Sequence, residues 1–408
     1  ALVFPSWRSS EALLTLGRGK TTTTLPLAEI ISCVPTQSPE ALPGTYALEI
    51  GLLGRVTTLL FVGEHSRDVW MRAILGSLSL PSTLIPWRDA TAADPSTYMH
   101  RSSLWRCSQR RVLNCRRIVW RETREVAGME ACALVAEALR QSCELCAALD
   151  DETSQVEGGH THELLTRFFD LTSELKLVVL DSLADGPMRT AFFLNLYHCL
   201  INHSYLLLGP PPSKFAWLSY YTTVAYHVGD DLMSLAGLEH CVLRAAMSAP
   251  TSLIGGLIIP GSRYACALTV ADARLNFALN YGSVGAPAHV PIYRAEVLDA
   301  QLDAITRRFL SERVVAGGEG GRLDGSKLVQ LPVVMQLFAR DFGTKGAKAT
   351  PAELVRYAAR YVDDDALVKR LMEIVQSSFF LGPSVRFAPF DFRCRTLALL
   401  GDDELGVE

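Results

Sequence analysis

The run "RTAFFLNLYHCLINHSYLLL", residues 189–208, constrains the fold of this chain more than any other stretch. It is long and apolar enough to be compared with a membrane span, yet Asn195, His198, Asn202 and His203 fall inside it. In hydrocarbon those polar side chains would be stranded without partners. The run therefore predicts a helix buried in a protein core, with its polar groups satisfied inside the fold and no transmembrane segment. Such a helix needs a large apolar shell. A chain of 408 residues, 49% hydrophobic and 20% charged, supplies one and has room for about two or three domains.

A formal charge of −4 excludes the strongly basic character of a general nucleic-acid binder, and no nucleic-acid partner is expected. The ten cysteines are spread through the chain, which favours reduced thiols in a cytoplasmic setting over a disulfide framework. Cys143 and Cys146, in "QSCELCAAL", have redox or metal spacing, but no second pair or histidine cluster follows. They read as one apolar face of a helix. No zinc, nucleotide or flavin signature is present, and neither a metal nor a cofactor is expected.

Residues 1–80 carry short β-branched runs, "EALLTL", "TTTTLPLAEIISCV", "TYALEIGL" and "VTTLLFVG", broken by Gly, Pro and Ser. They predict an antiparallel meander. In "EHSRDVWMRAILGSL" the spacing puts Val69, Trp70, Ile74 and Leu78 on one helical face. A small β barrel or sandwich closed by a C-terminal helix with a central tryptophan resembles the pleckstrin homology fold. The carrying residues are Leu25–Ile30, Tyr46–Ile50 and Ser66–Ile74. The resemblance implies an N-terminally truncated domain in which Arg18 and Lys20, on "GRGK", could contact phosphate, phosphoinositides included.

Residues 81–160 read as a connector and a helix. Arg106, Arg110, Arg117, Arg121 and Arg124 recur at spacings of four, seven, four and three, which a helix would gather on one side. That pattern suits an anionic membrane surface or an acidic protein partner, and equally an interdomain segment paired with carboxylates. "EVAGMEACALVAEALRQSCELCAAL" predicts a helix of six or seven turns, and "DDETSQVEGGHTH" a polar linker. Residues 161–408 predict a mainly helical α+β domain, with helices over 161–183, 187–208, 294–312, 326–341 and 351–377. "AGGEGGRLDG" lacks the Lys-Ser/Thr of a phosphate loop and reads as a surface loop. "YVDDDALVKR" places acids at a helix entry, where they complement its dipole.

Four motifs follow in order: "RTAFFLNLYHCLINHSYLLLGPP", "VGDDLMSLAGLEHCVLR", "DARLNFALNYGSVGAP" and "VRFAPFDF". Together they resemble the domain-of-unknown-function family numbered 547, over roughly Leu164 to Arg395. Asn195 and Tyr197 match its Asn-x-Tyr helix. Leu238, Glu239, His240, Leu243 and Arg244 match its Glu-His motif, and Phe390, Asp391 and Phe392 stand for a Tyr-Asp-Trp-like strand. In the third motif the family carries a histidine and two cysteines where this chain has Asn276, Tyr281 and Ala286. The family pattern implies a cysteine-dependent site of papain or transglutaminase type. A phenol titrating near pH ~10 is a poor acyl-transfer nucleophile, so Tyr281 marks a degenerate site.

The candidate pocket is Asn195, Tyr197, Glu239, His240, Asn280, Tyr281 and Ser283. His240 reads either as a base oriented by Glu239 or Asp391, or as a satisfied core histidine. Cys199 and Cys241 lie in apolar patterns and read as inert. Asp272 and Arg274, two apart on one strand face, read as a structural ion pair. Three functions fit these readings. The first is a non-catalytic scaffold with a membrane- or partner-docking module. The second is a cysteine- or serine-dependent hydrolase or transferase using His240. The third is a structural subunit of a larger assembly.

Overall fold

The computed structural model describes residues 13–18, 21–26, 30–36, 45–52, 55–78, 98–101, 109–114, 125–150, 158–250, 264–317, 328–378 and 382–407. By its contacts the chain divides into two compact units. The first comprises residues 1–182, 203–209 and 223–234, and the second comprises 183–202, 210–222 and 235–408. Segments 203–209 and 223–234 thus return to the first unit.

The first unit opens with strands β1 (Leu13–Arg18) and β2 (Thr21–Pro26), an antiparallel pair. Strands β3 (Ile30–Thr36), β4 (Thr45–Leu52) and β5 (Arg55–Val62) form a second antiparallel sheet. Helix α1 (Glu64–Leu78) packs across that sheet, as the meander-then-helix pattern predicts. Its buried stripe is narrower than expected: Ile74 is fully buried, but Val69 is 45% exposed. Strands β6 (Tyr98–Arg101) and β7 (Gln109–Val112) pair antiparallel, and β7 runs parallel to β8 (Val224–Val228), which pairs antiparallel with β9 (Asp231–Ser234).

Arg110 lies on β7 and is buried, so the helical arginine face does not pass through it. Four residues in a sheet alternate faces, and one of them can bury a guanidinium only with a partner, which Arg110 has. Arg18 ends β1, and its side chain, like Lys20, Arg106, Arg117, Arg121, Arg124 and the Gly-rich loop at 318–325, lies outside the described residues.

Helix α2 (Gly128–Asp150) buries Cys143 and Cys146 on its apolar face. Helix α3 (Gly158–Glu174) begins within "GGHTH", so the expected polar linker is shorter than the sequence suggests. Asn114 secures the unit's interior. Its amide donates to Thr172 O at 3.0 Å and His227 O at 2.8 Å, and its oxygen accepts from His227 N at 2.9 Å.

Helix α4 (Pro187–Leu208) is the apolar run, and every residue from Thr190 to Leu207 is buried. Proline in the first turn needs no N–H partner, and Gly209, at φ 72°, donates to Tyr205 O at 3.0 Å and closes the C-terminus. Its two asparagines are partnered as the sequence requires. Asn195 clamps the backbone of Tyr293 with two bonds, of 2.8 and 2.9 Å. Asn202 does the same to Leu397, at 3.0 and 2.8 Å. Each side-chain amide stands in for a missing strand neighbour.

The second unit continues with α5 (Lys214–Thr223) and a helical turn, Leu238–Leu243, wound wider than an α-helix. The helix Leu298–Arg313 and strand Leu328–Pro332 enclose a core around Phe277, Phe309 and Leu310. Residues 328–332, expected as helix, are a strand pairing parallel with Ser384–Ala388 and antiparallel with Val315–Ala316. The expected helix at 351–377 is two, Pro351–Ala359 with a Thr350/Glu353 capping box, and Asp365–Ser377 with Asp364 accepting from Ala366 N and Leu367 N. Among the described residues no helix is long and apolar enough to cross a membrane.

Candidate functional site

The segment Asp272–Pro287 was expected to run from a strand into a turn. It begins instead with a short helix, Leu275–Ala278. Asp272 accepts from Arg274 N at 2.9 Å and starts the turn, and Leu275, Phe277, Ala278 and Leu279 are all buried. A wholly buried apolar run carries no period that would separate strand from helix. Arg274 pairs with Asp272 at 2.8 Å, as expected, and also with Asp299 and Asp303, each at 2.7 Å.

After this helix Asn280 shapes the chain. Its N–H donates to His198 Nε2 at 3.2 Å, its side chain donates to Pro287 O at 2.7 Å, and its oxygen accepts from Gly282 N at 3.1 Å. Gly282 takes φ +60°, which glycine adopts without penalty. The turn then pairs with the fourth motif, through Val284 N to Arg393 O at 2.7 Å, Gly285 N to Asp391 O at 3.2 Å and Arg395 N to Gly282 O at 2.9 Å. A Cβ on Gly285 would lie 3.0 Å from Asp391 N, so a side chain here would crowd this approach. Phe390, Asp391 and Phe392 are not a strand. They follow the strand Ser384–Ala388 as irregular chain, because Pro389 has no N–H to extend the ladder.

These segments meet at Glu239, whose side chain is buried. Tyr281 donates its phenol to Glu239 Oε1 at 2.9 Å, and Tyr221 of α5 donates to Oε2. Burial, then the negative field of Glu239, holds both phenols well above their ordinary pKa. Aromatic rings surround the group. Trp217 stacks on Tyr221 at 4.8 Å and meets Tyr281 and Phe392 at 6.0 Å. Phe390 meets Tyr281 at 6.0 Å, and Tyr197 meets it at 6.4 Å. Trp217, Tyr281, Phe390 and Phe392 remain partly exposed. Trp217 and Tyr221 were missed from the sequence, although their spacing of four in "KFAWLSYYTT" places them on one helical face.

His240 shares the Leu238–Leu243 turn with Glu239, and its Nδ1 stands 3.9 Å from Glu239 Oε1. Burial lowers its pKa, against the pull of Glu239, so the ring stays neutral at neutral pH. Its other contact is the Tyr221 ring at 6.1 Å, and among the described residues no cysteine or serine side chain hydrogen bonds to it. Ser283 makes no hydrogen bond to His240. Its hydroxyl is fully buried with no hydrogen-bond partner, and its backbone pairs with Cys394. Cys199 is buried, and Cys241 is half-buried.

The candidate residues thus divide. Tyr197, Glu239, His240 and Tyr281 come together, Asn195 is a backbone clamp, Asn280 shapes the turn, and the Ser283 hydroxyl is buried without a hydrogen-bond partner among the described residues. Asn276 is a structural group. It accepts from Arg244, and it donates to Asp341 Oδ2 at 3.1 Å and Ala273 O at 3.0 Å. Arg244 pairs with Asp341 at 2.7 Å and lies over the Phe338 ring at 3.6 Å. Among the described residues no group of three or more His, Cys, Asp or Glu is arranged to hold a metal ion.

Residues 181–310 match the protein family DUF547, described as a protein of unknown function. The matched segment holds the Asn-x-Tyr, Glu-His and turn motifs, and it stops short of the fourth motif, which the structure joins to the turn. No curated protein and no solved structure matches the chain.

Proposed function

We propose that this chain is a non-catalytic binding protein, in which the aromatic cluster around Glu239 serves as an interaction surface for a protein partner. One observation carries the reading. The phenol at the family's cysteine position is spent on Glu239, while His240 has neither thiol nor hydroxyl to activate. Nucleophilic catalysis needs a nucleophile and base within hydrogen-bond reach, and that pair is missing here among the described residues. The half-exposed rings of Trp217, Tyr281, Phe390 and Phe392 have the composition of an interface centre, where large aromatics supply most of the binding energy.

The β1–β5 sheets and α1 are the docking module in this reading, pleckstrin-homology-like in kind, and the arginine-rich segment that follows carries the chain to an anionic membrane surface in a cytoplasmic setting. Support comes from the order of five strands then one helix. The test is time-resolved labelling of all ten cysteines and of serine hydroxyls with mild electrophiles at pH 7, mapped by mass spectrometry. Uniformly slow labelling, unchanged in His240→Ala, is the expected result. One cysteine or serine labelling far faster than the rest, and slowed by His240→Ala, would establish an enzyme instead.

A further inference from the structure

The far end of the same turn is held by two arginines. Arg313, last residue of the helix Leu298–Arg313, donates Nε–H to Gly285 O at 3.3 Å. Arg395, from the segment after Phe392, donates to the adjacent carbonyl, Ala286 O. Arg313 also has a carboxylate partner, Glu312, at 2.8 Å, and lies over the Phe309 ring at 4.5 Å. Arg393, two residues before Arg395, pairs with Asp391 at 2.6 Å. Arg395 has no ion pair among the described residues, and its Nε is buried without a hydrogen-bond partner.

A carbonyl oxygen accepts a hydrogen bond but does not neutralise a cation. Burial, then the charge of Arg313, pulls the Arg395 pKa below its ordinary value against the opposing pull of Glu312, so the two guanidiniums share one nearby carboxylate. A guanidinium carries five N–H donors in a rigid fork that fits carboxylate and phosphate oxygens. At Arg395 most of that fork is uncommitted, on a backbone fixed by the Arg395 N to Gly282 O bond.

We propose that Arg395 and Arg313 form an oxyanion-binding site beside the turn, suited to a phosphate group. The ligand would bridge the two guanidiniums and relieve their repulsion. The proposal is independent of the reading of Glu239 and Tyr281, since it uses different residues.

Inorganic phosphate, titrated into the full chain against chloride at matched ionic strength, tests it by calorimetry and by thermal unfolding. Phosphate is expected to bind saturably and raise the unfolding temperature, Arg395→Gln to weaken binding at least tenfold, and Arg313→Gln to weaken it less. Equal effects of phosphate and chloride would overturn the site, as would native affinity in a folded Arg395→Gln variant. Should that variant not fold, the Arg395 Nε–H resonance of the native chain decides. It is expected to shift as phosphate is added, and a stationary resonance would refute the proposal.

Discussion

Two carboxyl side chains are buried in the second unit and are treated in opposite ways. Asp341 is neutralised by Arg244 and further held by Asn276 and the backbone of Ser248. Glu239 is held by two phenols and stands 3.9 Å from the neutral imidazole of His240. Asn276 serves the first and Tyr281 serves the second. The comparison teaches that one unit can satisfy a buried carboxyl group in two ways. A cation and an amide meet one group and two phenols meet the other, so removing a partner should cost more at the first.

The largest expected effect separates both sites from their background. Burial lowers the pKa of His198 and of His203 to about 3, so both are neutral when folded and protonate when unfolded. The stability they contribute is present above the unfolded value of about 6.5 and is lost as pH falls from there towards 3, at about 1.4 kcal/mol per pH unit for each ring. Stability followed by circular dichroism should therefore fall between about pH 6.5 and 4.5. A loss confined to lower pH would assign acid sensitivity to the carboxyl groups instead.

Next is Arg244→Ala, which leaves Asp341 buried without its cation and is expected to cost about 3–5 kcal/mol in denaturant unfolding. Tyr281→Phe and Tyr221→Phe each remove one neutral donor from Glu239 and should cost less, about 1–3 kcal/mol apiece. Equal costs at the two sites would break the comparison. The smallest effect belongs to Asp299→Asn, because the Asp299 side chain is 86% exposed and its pair with Arg274 is solvated. It should change stability by no more than about 0.5 kcal/mol.

Much of this was legible in the sequence where a single rule applied. The polar residues of α4 had to be partnered, and Asn195 and Asn202 are. The acidic entry at Asp364 was readable for the same reason. What was not legible came from long-range pairing. The strand at 328–332 exists because Ser384–Ala388 runs beside it, and an apolar segment of that length reads equally as helix. Arg110 reads as part of a basic face until β8 pairs with β7 and buries it. Tyr221 was overlooked because its role depends on Glu239, 18 residues away, and no local pattern joins a phenol to a carboxyl group.

The central claim is that Glu239 holds the Tyr281 phenol as a fixed hydrogen-bond donor. Its most direct test is the titration of Tyr281 followed through a ¹³C label at the ring carbon bearing oxygen, with Tyr221 observed alongside. The account expects neither phenol to ionise near the ordinary value of about 10 while the fold persists, since burial and Glu239 both oppose the phenolate. Stability should then fall as pH rises beyond that value, and Glu239→Gln should bring both titrations down. A Tyr281 that ionises near its ordinary value in the folded chain, indifferent to Glu239→Gln, would contradict the account.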